Sequence, residues 1–255
     1  MHQFRVDCIS EIGRREQNED SFWCSSFVVD GRPCAVACVC DGIGGLQEGK
    51  LTSQRMANAV KEYCLQYGTV AGVKDRLLVE SDKVYQEYQA RGGQKSGTTC
   101  TLLFLSQGQW QIYHMGDSRA YKYDVQSNTP CVLTIDHTAL NANKEKLQEL
   151  ESADPATDPN AEEKHRRAYY FKKTYRNKLT RCLGVMENPV FDEYTGSYRV
   201  GDKFLVCSDG FWHRLSASDF NENVITDLHG LVEKFLSMGE SDNMTAVLIG
   251  VEESI

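Results

Sequence analysis

The sequence has no long hydrophobic run. No apolar stretch approaches the ~18–20 residues that a helix needs to cross a membrane. The first residues, Met1 to Asp7, also lack the apolar stretch of a secretory signal. These absences argue against a membrane-spanning helix, and we expect a cytoplasmic protein.

Positive charge is scarce. Lysine and arginine number 28 against 36 aspartates and glutamates, which gives a formal net charge of −8. Binding to a nucleic-acid backbone needs Lys and Arg concentrated on one face or arm, and an acidic surface is repelled by anionic membranes. Neither nucleic acid nor a membrane is therefore an expected partner.

The usual zinc spacings are also missing, although cysteine is plentiful. The 10 cysteines include no Cys-x-x-Cys pair and the 6 histidines include no His-x-x-x-His pair, which argues against a structural zinc site. Most of the cysteines lie in apolar runs, as at positions 34–40. We expect buried thiols rather than disulfides or metal ligands.

What is present is the composition of a folded protein. The 255 residues are 41% hydrophobic and 25% charged, which is close to average globular usage. The chain is long for one domain, but large two-sheet folds reach this size as a single unit. We therefore predict one domain over residues 1–255.

Hydrophobic patterns predict both strands and helices. Apolar, β-branched runs that indicate strands occur at 34–40, 100–105, 109–115, 119–125, 131–135, 203–207 and 244–251. Apolar residues at helical spacing predict helices that begin at Thr52, Val73 and Val224, the third ending near Gly239. Strands grouped in hairpins and helices in pairs favour an α+β layer arrangement over a βαβ repeat.

The segment from about 139 to 178 has a different character. It is polar, charge-rich and interrupted by Pro155 and Pro159. Its first half is acidic, and its second half, around 165–173, is basic and aromatic. This pattern predicts a helical or mobile surface insertion rather than core, and we call it the flap.

Four of the predicted strands adjoin an aspartate. Asp41, Asp117 and Asp209 follow predicted strands, and Asp242 stands just ahead of one. Each alone fits an ordinary turn, but several carboxylates at the edge of a sheet are costly unless they are solvated or bind a cation. Carboxylates suit Mg²⁺, Mn²⁺ or Ca²⁺ better than zinc or copper, and Gly42 would let a backbone carbonyl approach as a further ligand.

A fifth acidic site lies in the segment 13–22. Arg15 precedes Glu19 by four residues, so a cation that binds phosphate and a carboxylate that binds a metal could lie side by side. By itself, the segment is explained equally well as a solvated charged loop.

Eight short motifs occur in a fixed order along the chain. They are Arg15 with Asn18-Glu19-Asp20, Asp41-Gly42-Ile43-Gly44-Gly45, Ser96-Gly97-Thr98-Thr99, Gly116-Asp117-Ser118-Arg119-Ala120, Asp136-His137-Thr138, Leu179-Thr180-Arg181-Cys182-Leu183-Gly184, Ser208-Asp209-Gly210 and Asp242-Asn243. Each motif is weak alone, but together and in this order they are highly specific. Over nearly its whole length the sequence resembles the metal-dependent protein phosphatase family, and especially its bacterial, protein phosphatase 2C-like members.

The resemblance implies a fold and a set of site residues. The implied fold has two packed antiparallel sheets with helices on both outer faces, an αββα sandwich, and metals in a cleft at one end. By position, Asp41 bridges two Mg²⁺ or Mn²⁺ ions, Asp209 and Asp242 complete one, and Glu19 and the Gly42 carbonyl help to hold the other. Asp117 matches the ligand for a third, weaker metal, Arg15 matches the residue that binds the substrate phosphate, and Asp20 and Asn243 lie behind the ligands.

The implied activity is hydrolysis of phosphoserine and phosphothreonine in proteins. Two cations bridged by Asp41 would acidify a shared water, and the resulting hydroxide would attack phosphorus directly, without a phosphoenzyme. The expected partners are phosphorylated proteins, namely the targets of a bacterial serine/threonine kinase and the kinase itself. We expect a monomer.

Two positions depart from the family pattern. Ile43 stands where animal relatives carry a histidine proposed as general acid, so protonation of the leaving group is unassigned. His137 is a tempting substitute, but a single histidine is more often structural. His213 stands where many relatives carry an acidic residue, and we do not expect it to be a ligand.

Three other interpretations compete. Cys8 and Arg14 have the Cys-x5-Arg spacing of cysteine phosphatases, but the intervening residues hold a single glycine. The segment 44–50 has the glycine and lysine spacing of a P-loop, but Leu51 replaces the hydroxyl residue that binds Mg²⁺. The third is a catalytically inactive family member that binds phosphopeptides or acts as a scaffold, and retention of all five acidic residues favours an enzyme instead.

Overall fold

The chain folds into strands and helices in an order that matches the α+β prediction. The computed structural model describes residues 2–43, 48–92, 96–127, 129–220 and 225–254. The strands lie at His2–Glu11 (β1), Ser21–Val29 (β2), Arg32–Cys40 (β3), Cys100–Ser106 (β4), Gln109–Met115 (β5), Arg119–Asp124 (β6), Thr129–Val132 (β7), Asp192–Ser197 (β8), Lys203–Cys207 (β9) and Met244–Glu253 (β10). The α-helices lie at Gly49–Tyr67 (α1), Val73–Ala90 (α2), Ala139–Ala142 (α3), Lys144–Glu151 (α4), Ala161–Tyr175 (α5), Asp209–Trp212 (α6) and Leu228–Ser237 (α7).

The strands form two antiparallel sheets of five strands each. The first sheet has the order β1-β10-β9-β6-β7, and the second has the order β2-β3-β4-β5-β8. In the first sheet, β1 pairs with β10 along its whole length, from His2 opposite Glu253 to Glu11 opposite Met244. The first strand of the chain is thereby joined to the last.

Alternating side chains of each central strand face the other sheet. Ala37 and Leu103 of the second sheet pack with Phe204, Val206 and Val247 of the first. Because successive residues of a strand point to opposite faces, the residues between them face outward and are covered by helices. Full burial of one large apolar side chain stabilises the fold by ~1.5–3 kcal/mol. Both faces of the central strands carry such side chains, so both contribute to stability.

Helices cover the outer face of each sheet. On the second sheet, Cys38 of β3 lies in one core cluster with Met56 of α1 and Leu77 of α2. On the first sheet, Leu205 of β9 lies in a cluster with Phe235 of α7. The predicted αββα sandwich is confirmed.

Most of these elements were predicted from the sequence. The helices predicted from Thr52 and Val73 are α1 and α2. Gly68, directly after α1, caps the helix, because its left-handed backbone (φ 62°) lets its N–H bond the Cys64 carbonyl at 2.8 Å. The third predicted helix is α7, and its predicted start, Val224, lies outside the described residues. The strands β1, β2 and β8 were not predicted, and β7 begins and ends earlier than the run at 131–135.

The flap is helical. It contains α3, α4 and α5, and α5 buries only Ala161 and Ala168 while Tyr169 and Tyr170 are exposed. No helix in the described part of the chain is both long and apolar enough to cross a membrane.

Candidate metal centre

The acidic residues singled out in the sequence lie at the ends of strands from both sheets. Asp41 and Asp117 follow β3 and β5, Glu19 precedes β2, Asp209 follows β9, and Asp242 precedes β10. Neighbouring strands are antiparallel, so the ends of β3 and β5 and the start of β2 lie at the same end of their sheet. The same holds for the end of β9 and the start of β10 in the other sheet.

These residues surround one cavity of about 210 Å³. It is lined by Arg15, Glu19, Asp41, Gly42, Ile43, Thr99, Asp117, Asn177, Leu179, Asp209, Asp242 and Asn243. Among the described residues, no three acidic side chains bring oxygens within 4.8 Å of one another. The acids are therefore spread around the cavity, a layout that suits more than one cation. A larger groove of about 520 Å³, around Gly201 and Glu252, contains none of the predicted site residues.

Hydrogen bonds to the two residues just before β4 hold the backbone of Asp41. The Asp41 N–H donates to Thr99 Oγ1 at 2.9 Å. In return, the Asp41 carbonyl accepts from the Thr99 N–H and from Thr98 Oγ1, each at 2.8 Å. The Ser96-Gly97-Thr98-Thr99 motif therefore supports the central acid of the site.

Asn243 ties the Glu19 loop to the start of β10. Its Oδ1 accepts from the Glu19 N–H at 2.9 Å, and its Nδ2 donates to the carbonyls of Ile12 and Gln17 at 2.9 and 3.1 Å. The Gly42 N–H donates to the Glu19 carbonyl at 3.2 Å. A Cβ on Gly42 would lie 2.7 Å from that carbonyl oxygen, so glycine alone permits this close approach.

The carboxyl groups raise one another's pKa. Burial raises the pKa of Asp41 well above its usual value, and the charges of Asp20, Asp209 and Asp117 raise it further. Burial, together with Asp209, raises the pKa of Asp117 to about 8. Burial also raises the pKa values of Asp209 and Glu19. Such an assembly of acids is unfavourable unless protons or cations neutralise it.

Asp20 lies behind the cavity and shows how well the site fits a cation. Its side chain is 2% exposed, and its Oδ2 accepts from Ser208 Oγ at 2.7 Å. Its Oδ1 is buried without a hydrogen-bond partner in the described structure, and burial raises its pKa to about 6. Buried polar atoms are normally paired, so an unpaired acid oxygen beside further acids fits a site completed by hydrated hard cations.

Arg15 lies at the rim of the cavity. Its Nη2 donates to Asp242 Oδ2 at 2.8 Å, and its side chain is 49% exposed. A guanidinium that is fixed at one end and open to solvent is well placed to bind a phosphate.

The support for Asp117 was not predicted from the sequence. Trp212 Nε1 donates to the Asp117 carbonyl at 2.8 Å. The Arg119 guanidinium lies 3.3 Å from the centre of the Trp212 ring and donates to both oxygens of Asp136 at 2.9 and 2.7 Å. The bond from Trp212 spans 95 positions of sequence, so no local pattern could reveal it.

His137 lies beside the site but outside the cavity lining. Its Nδ1 accepts from the Gly116 N–H at 3.1 Å, so its Nε2 carries the proton and donates to Asp192 Oδ2 at 3.0 Å. Burial lowers its pKa, which keeps the ring neutral. This geometry supports the structural interpretation, because His137 fixes the backbone just before Asp117.

Cys8, Lys50 and His213 do not line the cavity. Cys8 packs against the core between the sheets and is absent from the cavity lining. Residues 44–47 of the P-loop-like segment lie outside the described residues, and Lys50 Nζ donates to the Asp20 carbonyl at 2.6 Å. His213 packs on Trp212, with ring centres 4.0 Å apart, and does not line the cavity.

Comparison with known proteins assigns the family. The family model described as Protein phosphatase 2C matches residues 10–249. Protein phosphatase PhpP of Streptococcus pneumoniae is 25% identical over 97% of this chain and 98% of its own length. The serine/threonine protein phosphatase PstP of Mycobacterium tuberculosis is 24% identical over 93% of this chain and 43% of its own length.

Solved structures share the fold. The catalytic domain of PstP, in complex with two manganese ions, gives a TM-score of 0.74 at 22% identity and covers 99% of this chain and 100% of that chain. A bacterial serine phosphatase gives 0.77 at 20% identity, with 99% of each chain covered.

The chain therefore belongs to the protein phosphatase 2C family. By that membership it is a metal-dependent serine/threonine protein phosphatase. The predictions of the family, the fold and the enzyme class are confirmed.

Proposed function

We propose that the cavity at the end of the sandwich is the catalytic centre of a single-domain enzyme, residues 1–255, that hydrolyses phosphoserine and phosphothreonine in proteins. The observation that carries this proposal is the convergence of five acidic residues from both sheets on one cavity, with Arg15 at its rim. A cavity rich in acids would repel a phosphate by itself, so cations have to be part of the active site.

The ligand roles that the family pattern implies fit the places of the acids around the cavity. Asp41, whose pKa is raised by the charges of Asp209, Asp117 and Asp242, would be shared by two Mn²⁺ or Mg²⁺ ions. Asp209 and Asp242 would complete the binding of one ion, and Glu19 with the Gly42 carbonyl would complete that of the other. Asp117 would hold a third, weaker ion.

The remaining residues bind the substrate or hold the ligands. When bound, the cations supply Lewis acidity that activates water and offsets charge on the phosphoryl oxygens. Arg15 binds and orients the phosphate, and Asn243 holds the Glu19 loop in place. Asp20 remains behind the ligands and is bonded to Ser208.

Direct attack by water, without a phosphoenzyme, is supported by the lack of a cysteine, serine or histidine nucleophile in the described lining, whose carboxylates are assigned to the cations. The described lining contains no cysteine or serine, and its one hydroxyl residue, Thr99, has its Oγ1 bonded to the Asp41 N–H and to Ser118 Oγ. No described histidine lines the cavity either, and Ile43 occupies the motif position, so we assign no general acid to the chain.

The proposed substrates are phosphoproteins made by a serine/threonine kinase, including the kinase itself, in the cytoplasm of a bacterium. The bacterial origin of the relatives PhpP and PstP supports this assignment, as does the acidic net charge of −8, which disfavours nucleic acid and anionic membranes. We propose that the enzyme acts as a monomer.

Metal removal tests the proposed chemistry. Hydrolysis of a phosphothreonine peptide and of p-nitrophenyl phosphate should stop in EDTA and return with Mn²⁺ or Mg²⁺. Asp41→Asn and Asp209→Asn should each lower kcat by about a thousandfold or more, with an unchanged circular dichroism spectrum. Cys8→Ser should retain activity.

Other outcomes would overturn the proposal. Full activity in EDTA would exclude catalysis by the cations, and an inactive Cys8→Ser variant that is still folded would indicate a cysteine mechanism. Binding of the phosphopeptide without turnover at any metal concentration would indicate a scaffold rather than an enzyme.

A further inference from the structure

Three buried thiols meet directly beneath the carboxylate cavity. Cys38 and Cys40 lie two positions apart in β3 and therefore face the same side of the sheet. Val39 pairs with Thr101 in β4, which brings Cys100 beside Cys40. The three Sγ atoms lie within 4.8 Å of one another, and those of Cys38 and Cys40 are 3.7 Å apart.

These separations are close to those of a metal–thiolate complex. A Zn–S bond is about 2.3 Å, so two sulfurs on one zinc ion lie about 3.8–4.0 Å apart in tetrahedral or trigonal geometry. The Sγ atoms of this cluster need to shift by less than about 1 Å to reach that arrangement. In the described part of the chain, no other set of three or more His, Cys, Asp or Glu side chains comes as close together.

The surroundings select a soft cation rather than the hard cations of the cavity. The cluster is fully buried in the apolar core between the second sheet and the helices α1 and α2, next to Met56 and Val60. Soft thiolate ligands bind zinc or Cu(I) and disfavour Mg²⁺ and Mn²⁺. Burial penalises net charge, and three thiolates leave less uncompensated charge on Zn²⁺ than on Cu⁺.

A fourth thiol belongs to the same core. Cys64 of α1 is buried in the cluster that contains Cys38, Cys40 and Cys100. A fourth ligand from a helix would close the site, as in structural zinc sites with four protein ligands.

We propose that Cys38, Cys40 and Cys100 form a second metal site, which takes Zn²⁺ as a thiolate complex and is separate from the carboxylate cavity. The zinc ion displaces the thiol protons and enters while the chain folds, because the folded cluster is closed to solvent. The proposed zinc site is joined to the carboxylate cavity through the backbone. Cys40 immediately precedes Asp41, and Thr99, which bonds Asp41, immediately precedes Cys100.

The spacing rule did not detect this site because the three cysteines come from two strands. Cys38 and Cys40 are separated by one residue, and Cys100 is 60 positions farther along the chain than Cys40. Only the register of β3 against β4 brings them together.

The metal content of the purified enzyme tests the proposal. The protein is produced in medium supplemented with zinc, dialysed against EDTA to empty the carboxylate cavity, and analysed by inductively coupled plasma mass spectrometry. We expect close to one zinc ion per chain in the wild type, and a zinc content lower by about tenfold or more in Cys100→Ala. Cys34→Ala is the matched control, because Cys34 is buried in β3 outside the cluster, and it should retain zinc.

A second measurement covers the case in which Cys100→Ala fails to fold. The wild type and Asp209→Asn are unfolded and refolded with Co²⁺, and both should then show the charge-transfer absorption of cobalt thiolate. Absence of this absorption, or of zinc in the dialysed wild type, would overturn the proposal. Equal zinc in Cys100→Ala, or loss of zinc in Asp209→Asn, would place the ion elsewhere and would also overturn it. Because these readouts do not use activity, their failure is distinct from failure of the proposed phosphatase mechanism.

Discussion

Arg15 and Asp242 form an ion pair across the rim of the cavity, and both are partly exposed, at 49% and 34% of their side chains. Ion pairs this exposed contribute only about 0–1 kcal/mol to stability. The pair can therefore open at little cost, and under the proposed roles Asp242 would then turn to a cation and the guanidinium would be free to bind a phosphate.

This arrangement leads to a prediction for the residue itself. Arg15→Ala should raise KM for a phosphopeptide by about tenfold, with a smaller change in kcat, because the lost contact is mainly with the bound substrate. Steady-state kinetics measures both constants. Arg14→Ala, one position away, is the matched control and should leave KM unchanged. If KM rises for Arg14→Ala and not for Arg15→Ala, the assignment of the phosphate-binding residue is wrong.

At the scale of single residues, the acids of the site were predictable and their supports were not. Asp41 and Asp117 were recognised because each directly follows an apolar run. Thr99 and Ser208 lie in motifs that carry the family resemblance, but their hydrogen bonds to Asp41 and Asp20 were not predicted, and Trp212 carries no signal at all. Each of these bonds joins residues far apart along the chain. The placement of all five acids around one cavity was implied by the family resemblance and not by spacing, since spacing does not fix which strand ends meet.

Among the elements, α5 of the flap is the one best placed to contact a protein substrate outside the cavity. Asn177 and Leu179, just beyond its end, line the cavity, and Tyr169 and Tyr170 are about 60% exposed. Only two alanines of the helix are buried, so most of its surface is open to contact a protein substrate.

The flap therefore provides a prediction about substrate choice. Changing Arg166, Arg167 and Lys173 to alanine should lower kcat/KM for a phosphoprotein several-fold and leave turnover of p-nitrophenyl phosphate unchanged, because charges at the rim of an interface act mainly on association. Lys172 is kept, because it is paired with Glu151 of α4. Lys61→Ala, on α1, is the control and should behave as the wild type. Equal losses on both substrates would indicate that the basic residues support the fold of the flap instead.

The strands that sequence patterns missed share one property. β1 is an edge of the first sheet, and β2 and β8 are the two edges of the second. An edge strand is half-exposed and carries polar residues, as in the Asp192–Ser197 strand, so it lacks the continuous apolar run by which the central β3 was found. The central strands were predictable because both of their faces are buried.

For the molecule as a whole, the crowded acids make stability depend on pH when no metal is bound. The pKa values of Asp20 and Asp117 are raised to about 6 and about 8, from about 3.9 in the unfolded chain. The folded state therefore holds these protons more tightly than the unfolded state does. This contribution to stability is complete below about pH 4 and is lost as the pH rises through the two folded values.

We expect the Tm in EDTA to fall by several degrees between about pH 5.5 and pH 8.5, since about 1 kcal/mol corresponds to ~2–4 °C in a chain of this size. Asp117→Asn removes one of the two groups and should reduce the fall, and Mn²⁺ should remove most of it in the wild type. Differential scanning fluorimetry at each pH measures the effect. The exposed Asp30→Asn should match the wild type, and a Tm in EDTA that rises over this range would contradict the prediction.

The pairing of β1 with β10 has a consequence for how the protein is made. A ribosome produces β1 more than two hundred residues before β10, its one partner among the described strands, and Asp242 is made just ahead of that partner. The nascent chain therefore holds Arg15, Glu19 and Asp41 long before it can complete the cavity. If the proposed site is correct, we expect no dephosphorylation by a partly synthesised chain, and a chain truncated before β10 should be inert rather than unregulated.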